Sequence, residues 1–262
     1  MMKQKINGIA LYDLNTLPIK TIYQFAHHFF NLFNIIPNHI SYMQSHSSDS
    51  QGETVSEIEA SLEELQYQID NNLIDNFRLL YSSTDRLWDV GFAFFDKQSE
   101  VGEEMNYIEI QFLDNISTLE SEKIIHFLTT ISAKTHIVYG IGYQLYGSMF
   151  EAFSYTLGLG VETLYNNESP YEWGEQLPSR TDETPLYFNQ LRMVYPINIL
   201  NDNHLNFPLS QLTLKAWILS NNKNGKITNL DNQNYLWLVE SSELERINAV
   251  LSKEGILISA SV

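Results

Sequence analysis

Three strand-like runs follow one another in the middle of the chain, and this succession constrains the fold most strongly. They span residues 76–81, 89–95 and 106–113. In the last run, polar residues such as Glu109 alternate with aliphatic ones such as Ile110, which is typical of a half-buried strand. Helical patterns occur before and after these runs, but not in a strict βαβ repeat. The sequence therefore predicts an α+β fold: a mostly antiparallel sheet with helices packed on one face, in which two related layers are an option.

A helix is predicted just before these runs. Thr54-Val55-Ser56-Glu57 fits a capping box, in which a hydroxyl and a carboxylate satisfy free backbone N–H groups. Apolar residues then recur at steps of three and four and form a stripe that should face a core: Val55, Ile58, Leu62, Leu65 and Ile69. Glu57 and Glu64 fall off this stripe and are expected to be exposed.

The chain of 262 residues is long enough for one large core or two smaller ones. No stretch has the composition of a linker, so we expect a single domain over residues 1–262, with a soft subdomain boundary near 142–160. Glycines are frequent around this boundary and do not fit a nucleotide-binding loop. Turns or close helix packing are their expected use.

The composition narrows the possible chemistry. The chain has no cysteine, which excludes disulfides, thiolate zinc sites and cysteine nucleophiles. No run of apolar residues is long enough for a transmembrane helix, and the N-terminus is a poor signal peptide. We therefore expect a cytoplasmic protein that does not interact with membranes.

Acidic residues are concentrated in two blocks. Residues 53–122 hold seventeen acids and three bases, a net charge of −14, and residues 151–183 hold seven acids and one base, a net charge of −6. The whole chain carries −17. Such blocks create a directional field that attracts a basic partner and repels nucleic acid. A solvated acidic face with no partner is the simpler alternative.

A search for catalytic motifs finds none. The G-x-S-x-G nucleophile elbow, H-E-x-x-H and the EF-hand ladder are all absent. No acid stands two residues before any lysine from Lys20 onward, as a restriction-type nuclease would require. Glu103 and Glu104 could form a carboxylate pair, but adjacent residues of a strand face opposite ways. We expect no catalytic residues, no metal and no cofactor.

The loop-like region 162–183 is the best candidate for a binding segment, since it mixes aromatic rings with acids. Rings can anchor a partner, and carboxylates can meet its Arg or Lys side chains. The alternative is that the rings pack into the core while the acids stay in water. With the acids of the first block and two tyrosines of the segment 140–155, the predicted partner-binding residues are Glu103, Glu104, Tyr143, Tyr146, Tyr165, Glu168, Tyr171, Glu172, Trp173 and Glu175.

The last third of the chain has a recognisable order of motifs. Leu191-Arg192-Met193-Val194-Tyr195-Pro196 is followed by Thr213-Leu214-x-x-Trp217-Ile218, then by Leu236-Trp237-x-Val239 and a closing helix before Gly255. Residues 190–258 thus resemble immunity proteins of bacterial polymorphic-toxin and type VI secretion systems. The resemblance implies a small α+β protein that guards a cell against a secreted toxin, and it supplies no catalytic residues.

Two functions remain open from the sequence. The first is an immunity protein that neutralises a cognate toxin, in this class often a nuclease with a basic groove, through an acidic and aromatic surface. The second is an enzyme that uses clustered carboxylates, with or without a metal ion. A DNA mimic fits the acidic charge but not the aromatic, globular character of the chain.

Overall fold

The computed structural model describes residues 4–14, 17–48, 52–84, 88–96, 106–176 and 184–260. Within these ranges there are ten strands: β1 (Gln4–Leu14), β2 (His39–Ser48), β3 (Gly52–Glu59), β4 (Asn76–Tyr81), β5 (Val90–Phe95), β6 (Tyr107–Leu113), β7 (Ile137–Gly147), β8 (Ile197–Leu200), β9 (Lys226–Asn229) and β10 (Tyr235–Leu238). There are also eight α-helices: α1 (Ile19–Asn31), α2 (Leu62–Asp70), α3 (Glu122–Ser132), α4 (Met149–Leu157), α5 (Pro170–Gly174), α6 (Asp202–Asn206), α7 (Leu214–Leu219) and α8 (Leu244–Lys253).

All ten strands belong to one sheet, in the order β3-β2-β4-β5-β6-β1-β7-β8-β10-β9. Every pairing between them is antiparallel. β1 lies near the middle of the sheet, with β6 on one side and β7 on the other. The predicted α+β class with a mostly antiparallel sheet is therefore confirmed.

Each face of the sheet has its own core. On face A, Leu11 of β1 packs in one cluster with Phe29 of α1 and Phe127 of α3. On face B, Tyr12 of the same strand packs in a second cluster with Tyr155 of α4 and with residues of α5, α7 and α8. Side chains of a strand alternate between faces, so β1 contributes to both cores. Helices therefore cover both faces of the sheet and not one alone.

Strand β6 is buried on both sides, because helices cover both faces of the sheet. All seven of its residues are buried, so the expected half-buried strand is wrong. Ile110 belongs to the core of face A, whereas Glu109 lies on face B with only 2% of its surface exposed. Helix α4 packs against β6 on that side. The polar residues of β6 are thus buried by a helix whose position the alternating pattern could not indicate.

The start of helix α2 also differs from the prediction. Residues 52–59 form β3, and the helix begins after the N-cap residue Ser61. The backbone N of Glu64 donates to Ser61 Oγ at 3.1 Å, and the backbone N of Ser61 donates to Glu64 Oε2 at 2.7 Å. Thr54 and Ser61 each begin a segment that matches a capping box, and the one at Thr54 lies in a strand. Hydrophobic spacing alone did not distinguish them.

The predicted core stripe is confirmed where its side chains are described. The described members of the stripe lie in the core of face A or pack against it: Ile58, Leu62, Leu65 and Ile69. Glu57 and Glu64 are exposed, as expected. The side chain of Val55 lies outside the described residues. The stripe therefore runs from the end of a strand into a helix.

Gly140 and Gly142 lie within β7 and not in a turn. A Cβ atom on Gly142 would lie 2.9 Å from Ile197 Cβ, and one on Gly8 would lie 2.2 Å from the ring of Tyr143. Glycine is needed at these positions because β8 and a tyrosine ring approach the backbone closely. The predicted soft boundary near 142–160 falls on the end of β7 and on α4, which contribute to the core of face B.

Candidate partner-binding surface

Part of the segment expected to bind a partner packs into the core of face B. Trp173 has no exposed surface, and its Nε1 donates to the backbone O of Thr156 at 3.0 Å. The hydroxyl of Tyr165 donates to the backbone O of Val194 at 2.6 Å. Glu168 is 6% exposed. Trp173 and Glu168 therefore cannot contact a partner in this fold, which corrects the sequence interpretation for these two residues. The ring of Trp173 packs into the core as the simpler alternative expected, but the carboxylate of Glu168 is buried with it.

Glu168 belongs to a closed polar cluster around Arg192. The guanidinium Nη2 of Arg192 lies 3.3 Å from Glu168 Oε1, and neither side chain is exposed. The guanidinium also lies over the ring of Tyr155, 3.9 Å from its centroid, and Nη1 donates to the backbone O of Tyr155 at 2.6 Å. Such stacking and charge-assisted bonding stabilise an arginine away from water.

Both oxygens of Glu168 are used within this cluster. The hydroxyl of Tyr155 donates to Oε1 at 2.6 Å, and the backbone N of Leu164 donates to Oε2 at 2.9 Å. Burial opposes the charge of Arg192, but Tyr155, Tyr195 and Glu168 outweigh this effect and raise its pKa above the ordinary value. Arg192 Nε and Nη2 have no hydrogen-bond partner among the described residues, although Nη2 lies within ion-pair distance of Glu168. The cluster ties α4 to the segments carrying Glu168 and Arg192.

The remaining predicted residues have mixed positions. Tyr143 is fully buried, and its hydroxyl donates to the backbone O of Ala152 at 2.7 Å, so it is a core residue and not a binding residue. Tyr146 at the end of β7 and Tyr171 on α5 are 65% and 66% exposed. Glu172 is also exposed, and Glu175 is half-buried. Glu103 and Glu104 lie outside the described residues.

A different surface lies beside α4 on face B. Helix α4 covers β6, β1 and β7, and next to it two cavities open over β2, β4 and β5. We call this region the open strip. The cavities measure about 170 and 420 Å³, and Leu80 and Trp88 line both of them. The smaller is lined by Arg78, Leu80, Trp88, Gly91, Phe92, Ala93, Glu109, Gln111, Phe150 and Phe153.

Glu109 lies at the polar side of the smaller cavity. Its Oε1 accepts hydrogen bonds from Gln111 Nε2 at 2.6 Å and from Thr156 Oγ1 at 3.1 Å. Its Oε2 has no hydrogen-bond partner among the described residues. Burial raises the pKa of Glu109 to about 8, although the bonds from Thr156 and Gln111 and the charge of Arg78 act in the other direction.

Trp88 fixes the wall between the two cavities. Its indole Nε1 donates to Gln111 Oε1 at 3.0 Å, so the ring is tied to the same amide that bonds to Glu109. A Cβ atom on Gly91 would lie 3.0 Å from Trp88 Nε1, so the small residue leaves room for the ring. On the opposite wall, Phe150 of α4 is 62% exposed. The cavity is thus bounded by aromatic rings that are held by the sheet and by α4.

The rim of the larger cavity is acidic. Glu57 and Glu59 line it together with His39. Glu57 Oε1 lies 3.0 Å from Arg78 Nη1 and accepts a hydrogen bond from Ser41 Oγ at 2.6 Å. Arg78 is thereby paired at the rim, and the carboxylate of Glu59 adds negative charge beside it. The open strip combines aromatic walls with carboxylates, which is the character that the sequence assigned to region 162–183.

Sequence reasoning missed the open strip because no local signal marks it. The alternation in 106–113 placed Glu109 and Gln111 on one side of a strand, but it could not show that α4 stops short of the neighbouring strands. Trp88 and Phe150 are 62 positions apart in the chain and meet only through the sheet. Only the three-dimensional arrangement brings these residues to one cavity.

Within the described ranges, no group of three or more His, Asp or Glu side chains is placed to hold a metal ion. None of the helices in the part of the chain that the structure describes has the length and apolar character needed to cross a bilayer.

Comparison with known proteins identifies a shared fold. No family model and no curated protein matches the chain. Among solved structures, the type VI secretion system (T6SS) protein PA0821 of Pseudomonas aeruginosa aligns with a TM-score of 0.58 at 11% identity, over 97% of this chain and 73% of that one. This likeness shows the fold alone.

A second solved structure is matched more weakly. It contains the toxic C-terminal tip of CdiA from Pseudomonas aeruginosa in complex with an immune protein, and 54% of this chain aligns with 86% of the matched chain. The identity is 15% and the TM-score is 0.25. A match at that score carries no argument.

Proposed function

We propose that this protein is an immunity protein that binds and neutralises a cognate secreted toxin in the cytoplasm, through the open strip on face B. The observation that carries this proposal is the open strip itself, where a cavity with aromatic walls adjoins a larger one that shares Trp88 and is lined by exposed carboxylates. The shared fold with a T6SS protein and the motif order of residues 190–258 support the same function.

The acidic charge of the chain suits a basic toxin. Residues 53–122, with a net charge of −14, include β3, β4, β5 and β6, which form or border the open strip. A negative field there would speed the encounter with a basic surface, and the aromatic walls would supply desolvated contacts once the complex forms. A nuclease has a basic groove for its substrate, so we propose a nuclease as the toxin.

A carboxylate-dependent enzyme remains the second candidate because of Glu109. A buried carboxyl with a raised pKa beside a cavity is the kind of group that serves as a general acid or base. However, Glu109 is the only acid that lines this cavity among the described residues. An enzyme would need its second reacting group from the substrate or from outside the described part of the chain.

Co-expression tests the proposed function directly. The cognate toxin is expressed in a host cell with and without this protein, and growth is followed. Rescue of growth, together with a stable complex of the two purified proteins at equal stoichiometry, supports immunity. A toxin inactivated at its catalytic residue serves as the binding partner in the purification.

Two outcomes contradict the proposal. One is failure to rescue growth although both proteins are produced and folded. The other is turnover of a small substrate by this protein alone that survives repurification and disappears in the variant Glu109→Gln, which would favour the enzyme.

A further inference from the structure

The smaller cavity holds a buried carboxyl whose charge the described residues do not fully balance. Glu109 is buried, yet its Oε2 has no hydrogen-bond partner among the described residues. Ionisation of a buried carboxyl without a partner is costly, and an incoming positive charge would offset that cost and favour the ionised form. Arg78 lines the same cavity but is engaged with Glu57 at the rim.

The walls of the cavity fit the rest of a basic side chain. Trp88, Phe150 and Phe153 present aromatic surface, which packs against aliphatic stems and attracts cations to its faces. The Arg78 guanidinium already lies 5.6 Å from the ring centroid of Phe153, so this wall accepts a cation. The volume of about 170 Å³ exceeds the roughly 150 Å³ of an engineered cavity that holds benzene.

We propose that this cavity receives the end of a lysine or arginine side chain of the partner, whose cation binds Glu109 Oε2 while its stem packs between Trp88 and the phenylalanines of α4. This inference rests on the proposed function, since it names the part of the toxin that enters the open strip. It also predicts that isolated cations of the same shape bind the free protein weakly.

Small cations test the proposal without the toxin. The isotope-labelled protein is titrated with ethylguanidinium, with butylammonium and, as a neutral control of the same shape as the first, with ethylurea. Nuclear magnetic resonance follows the indole N–H of Trp88 and the side-chain amide of Gln111. We expect saturable shifts at both groups with at least one cation and none with ethylurea. The stronger cation indicates whether arginine or lysine is the natural occupant.

Two variants assign the binding to Glu109. Glu109→Gln keeps the shape and removes the charge, and the shifts should disappear. Glu59→Gln removes a carboxylate at the neighbouring cavity and should leave them in place. Equal shifts with ethylurea, equal binding by Glu109→Gln, or no saturable shift with either cation would each overturn the proposal.

The pH dependence gives a second readout. The groups that face Glu109 are Arg78 from β4, Tyr12 from β1, Tyr143 from β7 and the uncharged Thr156 from α4. Burial raises the pKa of Tyr12 and of Tyr143 well above the ordinary value, so both stay neutral while Glu109 ionises. Affinity for the cation should therefore rise from about pH 7 to about pH 9. A His39→Gln variant controls for the imidazole at the neighbouring cavity.

The outcomes separate this inference from the proposed function. If the toxin is neutralised but cations do not bind, the cavity proposal fails alone. If cations bind but the toxin is not neutralised, immunity fails and the cation site remains. With the toxin itself, Glu109→Gln should weaken binding at least roughly ten-fold, because it leaves a desolvated cation without its partner. Unchanged toxin affinity would contradict the proposal.

Discussion

Two buried glutamates on face B have opposite surroundings. Glu168 is enclosed with Arg192, and each of its oxygens accepts a hydrogen bond. Glu109 is equally buried, but only Oε1 is bonded, and the residue lines a cavity that opens on the surface. The comparison separates a buried ion pair that connects segments of the fold from a buried carboxyl that lines an open cavity.

Electrostatics explains why the two carboxyls behave differently. A buried charge is tolerated when an opposite charge and hydrogen bonds replace water, as around Glu168. At Glu109 the compensation is incomplete, and burial raises its pKa to about 8. Near neutral pH the carboxyl of Glu109 is therefore protonated in the free protein, whereas Glu168 forms an ion pair with Arg192.

The largest expected effect comes from breaking the closed cluster. Arg192→Met leaves Glu168 buried without its cation, and such losses cost about 3–5 kcal/mol of the free energy of unfolding. Urea unfolding followed by circular dichroism measures the change. The double variant Arg192→Met with Glu168→Gln should recover part of the loss. A single variant as stable as the wild type would show that the pair is not structural.

A somewhat smaller difference should separate two aromatic residues of α5. Trp173→Ala removes a fully buried ring and should cost about 3–5 kcal/mol, without the added penalty of an unpaired charge. Tyr171→Ala, at an exposed position of the same helix, should change stability by no more than about 0.5 kcal/mol. The midpoints of chemical denaturation test this contrast. Similar losses in both variants would contradict the assignment of Trp173 to the core.

The ionisation of Glu109 should make stability depend on pH. Its pKa is raised in the folded state, so the folded protein retains a proton that the unfolded chain has released. The stabilisation is full below about pH 4.5, the ordinary value, and is lost as pH rises toward about 8, at up to roughly 1.4 kcal/mol per pH unit. Glu109→Gln should remove this contribution. The free energies of unfolding of the wild type and the variant should therefore differ by an amount that changes with pH across this range. A difference that stays constant with pH would contradict a raised pKa of Glu109 in the folded protein.

The smallest effect concerns association kinetics at the rim. Glu59→Lys reverses a charge on the exposed edge of the open strip and should slow the association with a basic toxin more than it speeds dissociation. Because salt screens surface charge, added salt should reduce the difference between the variant and the wild type. Stopped-flow mixing at low and high salt measures it. An equal change at both salt concentrations would argue against steering from this rim.

The sequence predicted local structure well where a single pattern applied. Strand β4 has the predicted bounds, and β5 and β6 each begin one residue later than predicted. The errors occurred where two patterns competed, as at Thr54 and Ser61, which both match a capping box. Local periodicity cannot resolve such a choice, because the pairing of β3 with β2 decides it.

The candidate site was less accessible to sequence reasoning. The mixture of rings and acids in region 162–183 has the composition of a binding loop, but the structure buries Trp173 and Glu168 through contacts with residues far away in the chain. Conversely, Glu109 occurs in an ordinary strand pattern. Its importance depends on where α4 ends relative to the sheet, which is a property of tertiary packing.

The central claim is that the partner binds at the open strip and not at α5. Two matched variants test it by titration calorimetry with the cognate toxin, each combining one charge reversal with one aromatic truncation. We expect Glu59→Lys with Trp88→Ala to weaken binding at least roughly ten-fold, since aromatic anchors dominate interfaces. Glu172→Lys with Tyr171→Ala should leave the affinity unchanged. Loss of affinity in the second variant alone, or in neither, would contradict this account.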